Sequence, residues 1–219
     1  MTVGELVPGV EGSALALSLV ELDGDSLVLR DDARDSLLFV VSGAGSLRLG
    51  DERLALSEGS AALVLAGREG TVTAADGRLA LVHATVGEEA DRHAPLGPAE
   101  TVVRLDAAAS EHATSARSYQ VLFGPANGST RATLFAGHVP PGRAPWHFHL
   151  YDEIVWVRDG RARLHLADGV EELGPGSAFR LRPREAHIVE SASEDRELSV
   201  VGIFTPAGSP SAAYLAPAP

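Results

Sequence analysis

Four residues with metal-binding side chains are clustered in the second half of the sequence. His147 and His149 are two positions apart, Glu153 follows four residues later, and His187 comes shortly after Pro183. Residues two apart in a β-strand project from the same face, so the two imidazoles would lie side by side. Glu153 lies an even number of positions after both histidines, so it has the same parity along the chain. His187 could approach from a neighbouring segment. Such a set could bind one divalent ion and leave coordination positions for water or substrate.

Further polar residues lie close to these four in the sequence. Arg180 and Arg182 share one parity, so both would suit a substrate carboxylate by bidentate pairing if their face lined the site. The alternative is that both lie on a solvated outer face. His138, on a strand before the histidine pair, and Tyr151, with the parity of the ligands, are candidate catalytic residues. His165 is predicted to be exposed, because it alternates with leucines.

Composition excludes several classes of function. The net charge of −12 argues against a nucleic-acid partner, because phosphate binding needs clustered cations. The absence of cysteine removes disulfides, thiolate nucleophiles and cysteine-ligated metals. No secretory signal and no apolar stretch of membrane-spanning length is present. We therefore expect a cytoplasmic protein that handles a small molecule, without a nucleic-acid or membrane partner.

Most of the chain is predicted to form short strands bounded by Gly, Asp and Pro, and helical periodicity is weak. Many short strands with little helix are typical of a sandwich or barrel. The stretch Asp106–Ala116 is either a short helix or a linker. The predicted strands are Leu37–Val41, Leu47–Leu49, Ala61–Leu65, Ala80–Ala84, Ala132–Val139, Ile154–Val157, Ala162–Leu166, Ala178–Leu181 and Leu198–Phe204.

An internal repeat with an offset of 117 residues divides the chain. Asp35–Gly43 and Asp152–Gly160 both contain polar residues, an apolar strand and a glycine turn, and the match continues without gaps for some forty residues. The alternative is two hairpins that are alike only because hairpins are alike. A duplication places the boundary near Leu96–Ala108, between an N-terminal half, residues 1–105, and a C-terminal half, residues 106–219.

The same offset shows that the first copy lacks the four potential ligands. The equivalents of His147, His149, Glu153 and His187 are Arg30, Asp32, Ser36 and Gly70. No imidazole is present at these positions, and one of them is a cation. We therefore expect no metal site in the N-terminal half, whose role would be structural; alternatively, Arg30 supports an anion site.

The spacing of these residues resembles the first motif of the cupin superfamily. That motif has a glycine, an HxH pair, a glutamate and a further glycine, and His147, His149, Glu153 and Gly160 match it. The leading glycine, Gly142, stands one residue closer than usual.

The second cupin motif is matched less completely. Pro183 and His187 fit it, whereas Glu185 replaces its glycine and Ser191 replaces its usual asparagine. With the repeat included, the chain resembles a bicupin: two tandem cupin barrels (double-stranded β-helix, or jelly-roll), of which the first is degenerate.

This resemblance implies one divalent transition metal, such as Fe, Mn, Ni or Zn, held by three histidines and one glutamate. It also implies a metal-dependent enzyme acting on a small oxygen-rich molecule, with a dioxygenase as the first expectation and an isomerase as the second. The competing class is a non-enzymatic bicupin that binds a metal or a small ligand. A bicupin already contains a dimer-like pairing of barrels, so a monomer or a homodimer is compatible with the sequence.

Overall fold

The structure, a computed structural model, describes residues 1–9, 13–113 and 116–218 and is built almost entirely of strands. Its helical content there is one 3-10 turn, Leu105–Ala107, so no helix in these residues could span a membrane. The strands are β1 Thr2–Val7, β2 Leu15–Asp23, β3 Ser26–Arg30, β4 Asp35–Leu49, β5 Glu52–Ser57, β6 Ser60–Val64, β7 Glu69–Val86, β8 Val102–Arg104, β9 Glu111–His112, β10 Ser118–Phe123, β11 Thr133–Val139, β12 His147–Phe148, β13 Asp152–Asp159, β14 Ala162–Leu166, β15 Gly169–Leu173, β16 Ala178–Leu181, β17 Ile188–Ser191, β18 Leu198–Thr205 and β19 Tyr214–Leu215.

The strands pair in antiparallel fashion in four sheets. One eight-stranded sheet contains β1 to β8, in the order β1-β2-β7-β4-β6-β8 with β3 on β7 and β5 on β4. A six-stranded sheet has the order β16-β13-β18-β11-β10-β9, and smaller sheets have the orders β15-β14-β17 and β12-β19. The prediction of an all-β chain is confirmed.

The order and pairing of the strands recur at the offset of 117 residues. Adding this offset to β1, β2, β5 and β6 gives positions that overlap β10, β11, β15 and β16. The long strand β4 corresponds to β13 and β14 together, and β7 corresponds to β17 and β18. The pairing of β2 with β7 has its equivalent in the pairing of β11 with β18.

Two predicted strands of the N-terminal half are one strand in the structure. The residues Leu37–Val41 and Leu47–Leu49 both belong to β4, and Gly43, predicted as a turn, lies at an irregularity within it. A Cβ atom on Gly43 would lie 2.1 Å from the carbonyl oxygen of Arg78, so a glycine is needed where the strand bends past β7.

Several elements were not predicted correctly from the sequence. The first three strands were not predicted, and Ala80–Ala84 is only part of the 18-residue strand β7. The stretch Asp106–Ala116 contains the end of the 3-10 turn and the short strand β9, while positions 114 and 115 lie outside the described residues. The remaining predicted strands coincide with β6, β11, β13, β14, β16 and β18 to within a few residues.

The two halves pack through a shared apolar cluster. Phe39 and Leu63 from the N-terminal half lie in this cluster with Phe123, Trp156 and Ile203 from the C-terminal half. A second cluster, formed only by N-terminal residues, fills the interior of that half with leucine and valine side chains. A third and a fourth cluster belong to the C-terminal half.

The half-buried histidine on β7 of the N-terminal half gives a pH-dependent prediction. His83 on β7 lies with its Nε2 atom 2.9 Å from Ser36 Oγ, and burial lowers its pKa to about 4. In the unfolded chain the pKa of His83 is near 6.5, so below that pH the unfolded state binds more protons at His83 than the folded state does. His83 therefore favours the folded state above pH 6.5, and this contribution is lost as pH falls toward 4. Between pH 7.5 and pH 5.0 the loss is about 2 kcal/mol. Urea denaturation at both pH values should show a correspondingly smaller pH dependence for His83→Gln; an equal dependence in both proteins would contradict the prediction.

Candidate metal centre

Three histidine side chains meet in the interior of the C-terminal half. His147 begins β12, His149 follows this strand, and His187 immediately precedes β17. One side-chain nitrogen atom of each histidine lies within 4.8 Å of those of the other two. The backbones of His147 and His187 form two hydrogen bonds, of 3.3 and 2.9 Å, which join the two segments. The histidines predicted from the sequence are therefore brought together.

Backbone carbonyls hold the three imidazoles in one orientation. The Nδ1 atom of His147 lies 2.9 Å from the carbonyl of Pro145, and that of His187 lies 2.8 Å from the carbonyl of Glu185. The Nδ1 atom of His149 lies 3.3 Å from the carbonyl of Ala212. Because a carbonyl only accepts, each Nδ1 donates its proton, and each Nε2 keeps a free lone pair. This is the tautomer that a metal-binding histidine uses when a neighbouring group fixes its other nitrogen.

Burial keeps these imidazoles neutral. Desolvation lowers the pKa of His149 to about 4 and that of His187 to about 3, and it also lowers the pKa of His147. Protons therefore compete little for the three Nε2 lone pairs at neutral pH, as a metal site requires.

Glu153 completes the set from β13. Its side chain is buried, and its Oε2 atom lies 3.7 Å from His149 Nε2. Since His149 Nδ1 carries the proton, its Nε2 lone pair faces this carboxyl oxygen, and a cation between them would favour the ionised form of Glu153. No described residue donates a hydrogen bond to this carboxylate, and burial raises the pKa of Glu153 to about 8. The donor set of three imidazoles and one carboxylate thus fits a divalent transition metal.

The four residues line a cavity of about 100 Å³. His138 and Tyr151, the two candidate catalytic residues, also line it. His138 Nδ1 lies 2.8 Å from Glu197 Oε1. The ring of Tyr151 stacks on His149 with a centroid distance of 4.5 Å, and its hydroxyl donates to the carbonyl of Pro210 over 3.3 Å. Tyr151 therefore holds the imidazole of His149 in place through its ring.

The segment 209–216 covers one side of this cavity. Pro210, Ser211 and Ala213 line it, and β19 pairs with β12 beside the histidines. The rings of Phe148 and Tyr214 stack with a centroid distance of 5.5 Å. Because Ala212 supplies the carbonyl that orients His149, this segment contributes to the ligand geometry as well as to the wall.

Removing the covering segment should weaken metal binding. A chain that ends after Ser209 lacks the carbonyl that holds His149 Nδ1, and loss of such a partner typically reduces metal affinity 10- to 100-fold. Competition with a chelating dye would measure this change. A chain that ends after Pro217 keeps the segment and should bind as the full chain does. Equal affinity in the two shortened chains would contradict a role for Ala212.

The structure places Arg180 and Arg182 outside the cavity, so their predicted role in substrate binding is wrong. Arg180 Nε lies 3.3 Å from Asp152 Oδ1, and its Nη2 donates to Ser13 Oγ and to the carbonyl of Leu15 in the N-terminal half. Arg182 is exposed. The alternating residue Leu181 lines the cavity instead, because the two arginines have the opposite parity.

The predicted exposure of His165 is also wrong. Its side chain is buried, with Nε2 3.3 Å from Glu190 Oε1 and its ring 6.4 Å from that of Trp146. Strand β14 is covered on both faces, since Leu164 packs in a core cluster on the other side. Alternation therefore indicated the face of His165 but not its burial.

Arg117 is the cavity residue that sequence reasoning missed. It lies immediately before β10, lines the cavity and donates from Nη2 to the carbonyl of Val189. It precedes the histidine pair by some thirty residues, and the repeat offers no equivalent position. No motif or periodicity in the sequence marks it.

The equivalent positions of the N-terminal half form no comparable cluster among the described residues. Arg30 is exposed and lies 3.5 Å from Glu69. A Cβ atom on Gly70, the equivalent of His187, would lie 3.1 Å from side-chain atoms of both Leu47 and Val64. Aliphatic packing therefore fills the space in which an imidazole would stand.

Known proteins resemble this chain in two ways: one family profile matches part of the sequence, and several solved structures are similar to most of the fold. The profile of the cupin domain family (Cupin_2) matches residues 136–204. No curated protein matches the sequence significantly. Among solved structures, oxalate decarboxylase OxdC of Bacillus subtilis is similar with a TM-score of 0.74 at 13% identity, covering 93% of this chain and 71% of that chain.

Two further solved structures are similar over the same share of the chain. The putative glyoxylate induced protein from Pseudomonas aeruginosa has a TM-score of 0.74 at 17% identity, and 79% of it is covered. Protein Ylba from E. coli, of family DUF861, has a TM-score of 0.72 at 14% identity, and 81% of it is covered. The region matched by the cupin profile, residues 136–204, contains His138, His147, His149, Glu153 and His187.

Proposed function

We propose that the chain is a bicupin whose N-terminal barrel is degenerate. The recurrence of strand order and pairing at the offset of 117 residues supports a duplication. The structural likeness to cupin proteins extends over 93% of the chain, beyond the matched cupin region. The aliphatic side chains around Gly70 are consistent with a first copy that is packed and has no ligand site.

The C-terminal half would bind one divalent transition metal through His147, His149, Glu153 and His187. The observation that carries this proposal is the fixed orientation of the three imidazoles, with every Nδ1 held by a backbone carbonyl and the lone pair of His149 facing Glu153. Fe, Mn, Ni and Zn all accept this donor set. The B. subtilis oxalate decarboxylase is described with Mn(II) centres, which makes manganese the first ion to test.

The function that this site supports best is that of a metal-dependent enzyme acting on a small oxygen-rich molecule. A bound metal would supply Lewis acidity or, if it is iron, reactivity toward O₂, which correspond to an isomerase and a dioxygenase. His138 borders the cavity outside the proposed ligand set, but its ring nitrogens lie 2.8 Å from Glu197 Oε1 and 3.4 Å from Gln120 Oε1, so a role in proton transfer would require it to leave these partners. Tyr151 and the covering segment would exclude water from the reacting atoms.

A non-enzymatic binding protein is the second candidate. It is favoured by the small number of cavity groups that can transfer a proton: Glu153 belongs to the ligand set, and the hydroxyl of Tyr151 donates to the Pro210 carbonyl. In such a protein the metal, or the cavity alone, would recognise a ligand without changing it.

Turnover by metal-loaded and metal-stripped protein separates the two candidates. The protein would be stripped with a chelator, reloaded with Mn(II), Fe(II), Ni(II) or Zn(II) separately, and incubated with small hydroxy acids, keto acids and sugars. Oxygen uptake reports a dioxygenase, and NMR of the products reports an isomerase. An enzyme should act only when loaded. If no compound is converted and stripping leaves ligand affinity unchanged, the enzyme proposal is wrong.

A further inference from the structure

Arg117 brings a fixed positive charge to the cavity wall. It is the only lysine or arginine among the described residues that line the cavity. Its hydrogen bond to the carbonyl of Val189, two residues beyond His187, joins the start of β10 to the segment that carries a proposed ligand. The guanidinium is therefore anchored beside the metal centre by one of its donors, while others remain for a further partner.

No described acidic residue forms an ion pair with this guanidinium. The charge of Glu153, which already belongs to the proposed ligand set, raises the pKa of Arg117, but burial has the larger effect and lowers it. With a divalent metal on the three neutral histidines and Glu153, the cavity would hold an excess of positive charge. Half-buried charge of this kind is stabilised by an anionic partner that accepts hydrogen bonds.

The rest of the cavity limits what that anion can be. Phe135, Val155 and Leu181 are among several apolar side chains in the wall. A cavity of about 100 Å³ admits only a small molecule, since a cavity of roughly 150 Å³ holds one benzene molecule. A single arginine fork matches the two oxygens of one carboxylate.

Building on the proposed function, we propose that Arg117 binds the carboxylate of the substrate and so defines its class. The substrate would be a short carboxylic acid that carries a hydroxyl or carbonyl oxygen near the carboxylate, to reach the metal, and a small apolar group, to contact the wall. Arg117 is thereby a specificity-determining residue, in place of the two arginines that sequence parity suggested.

Calorimetric titration of metal-loaded protein tests this assignment with pyruvate and its neutral ester, methyl pyruvate, as probes. Arg117→Met should weaken pyruvate binding roughly 10- to 100-fold, the range for loss of a hydrogen bond between charged groups, and leave methyl pyruvate binding unchanged. Arg117→Lys, which keeps the charge without the fork, should fall between the wild type and Arg117→Met. Arg182→Met is the matched control, because Arg182 is exposed outside the cavity, and it should bind both probes as the wild type does.

Metal analysis of the same samples separates this inference from the proposed function. Equal metal content in wild type and Arg117→Met, with pyruvate binding reduced only in the variant, supports the inference. Undiminished pyruvate binding by both Arg117 variants, or no pyruvate binding by metal-loaded wild type, overturns it and leaves the metal centre intact. Failure of the wild type to hold any metal overturns the proposed function, and a loss of pyruvate binding on Arg117→Met in that metal-free protein still supports the role of Arg117.

Discussion

Purified His149→Ala protein is expected to contain less than about a tenth of an equivalent of transition metal, where the wild type retains about one. His149 is central to the proposed site: its ring lies 5.4 Å from that of His147 and 4.9 Å from that of His187, and its Nε2 atom faces Glu153. Removing it leaves two imidazoles and a carboxylate without this contact. Elemental analysis by mass spectrometry after gel filtration would measure the occupancy and identify the ion.

The control for this experiment is His138→Ala. His138 lines the same cavity but is held by Glu197 and is not in the histidine cluster, so its loss should leave the occupancy near one equivalent. Circular dichroism of both variants would establish that they are folded. Full occupancy in His149→Ala would show that the ligand assignment is wrong, whatever the activity of the protein.

The candidate ligands could be predicted from the sequence because the information that places them is local. His147 and His149 are two residues apart, and a strand alone puts them on one face. The position of His187 came from the spacing of a family motif and is supported by the backbone pairing of His147 with His187. The carbonyl of Ala212, which orients His149, could not be predicted, because any residue type supplies a carbonyl and only the path of the chain decides which one arrives.

The prediction that Arg180 binds substrate failed for a physical reason, which the internal repeat helps to identify. Its equivalent in the repeat is Leu63, which is buried in the cluster between the two halves. The face that holds Leu63 in one half therefore holds Arg180 in the other, directed at the N-terminal half and away from the cavity. Parity alone showed that Arg180 and Arg182 share a face, and it could not show which face lines the cavity.

Strand boundaries were least predictable where a strand bends or is covered on both faces. In β4 a glycine that allows close contact with β7 was taken as a turn. The first two strands, which contain residues such as Glu5, Glu21 and Asp23, were not recognised among their polar neighbours. Strand β2 is positioned by pairing with β7, far along the chain, and β1 by pairing with β2, and local patterns do not encode these contacts.

Arg131→Met should lower the free energy of unfolding by about 3 to 5 kcal/mol, the usual cost of removing one partner of a buried ion pair. Arg131, in the C-terminal half, is almost fully buried and lies 3.5 Å from Asp35 of the N-terminal half. It also donates to the carbonyl of Ala33 over 2.6 Å. The variant leaves the buried carboxylate of Asp35 without a counter-charge, although the backbone N–H of Ala66 still donates to it. Urea denaturation at pH 7.5 would measure the change.

A second pair between the halves provides the matched control. Glu58 lies 3.7 Å from Arg158 but is largely exposed, so Glu58→Gln should cost less than about 1 kcal/mol. The double variant Asp35→Leu with Arg131→Met removes both buried charges and should recover much of the loss, because the penalty arises from the unpaired charge. If Arg131→Met costs no more than Glu58→Gln, the buried pair does not stabilise the contact between the halves. If Arg131→Met instead loses much unfolding free energy and the double variant recovers it, the N-terminal half supports the fold that holds His147, His149, Glu153 and His187 in place.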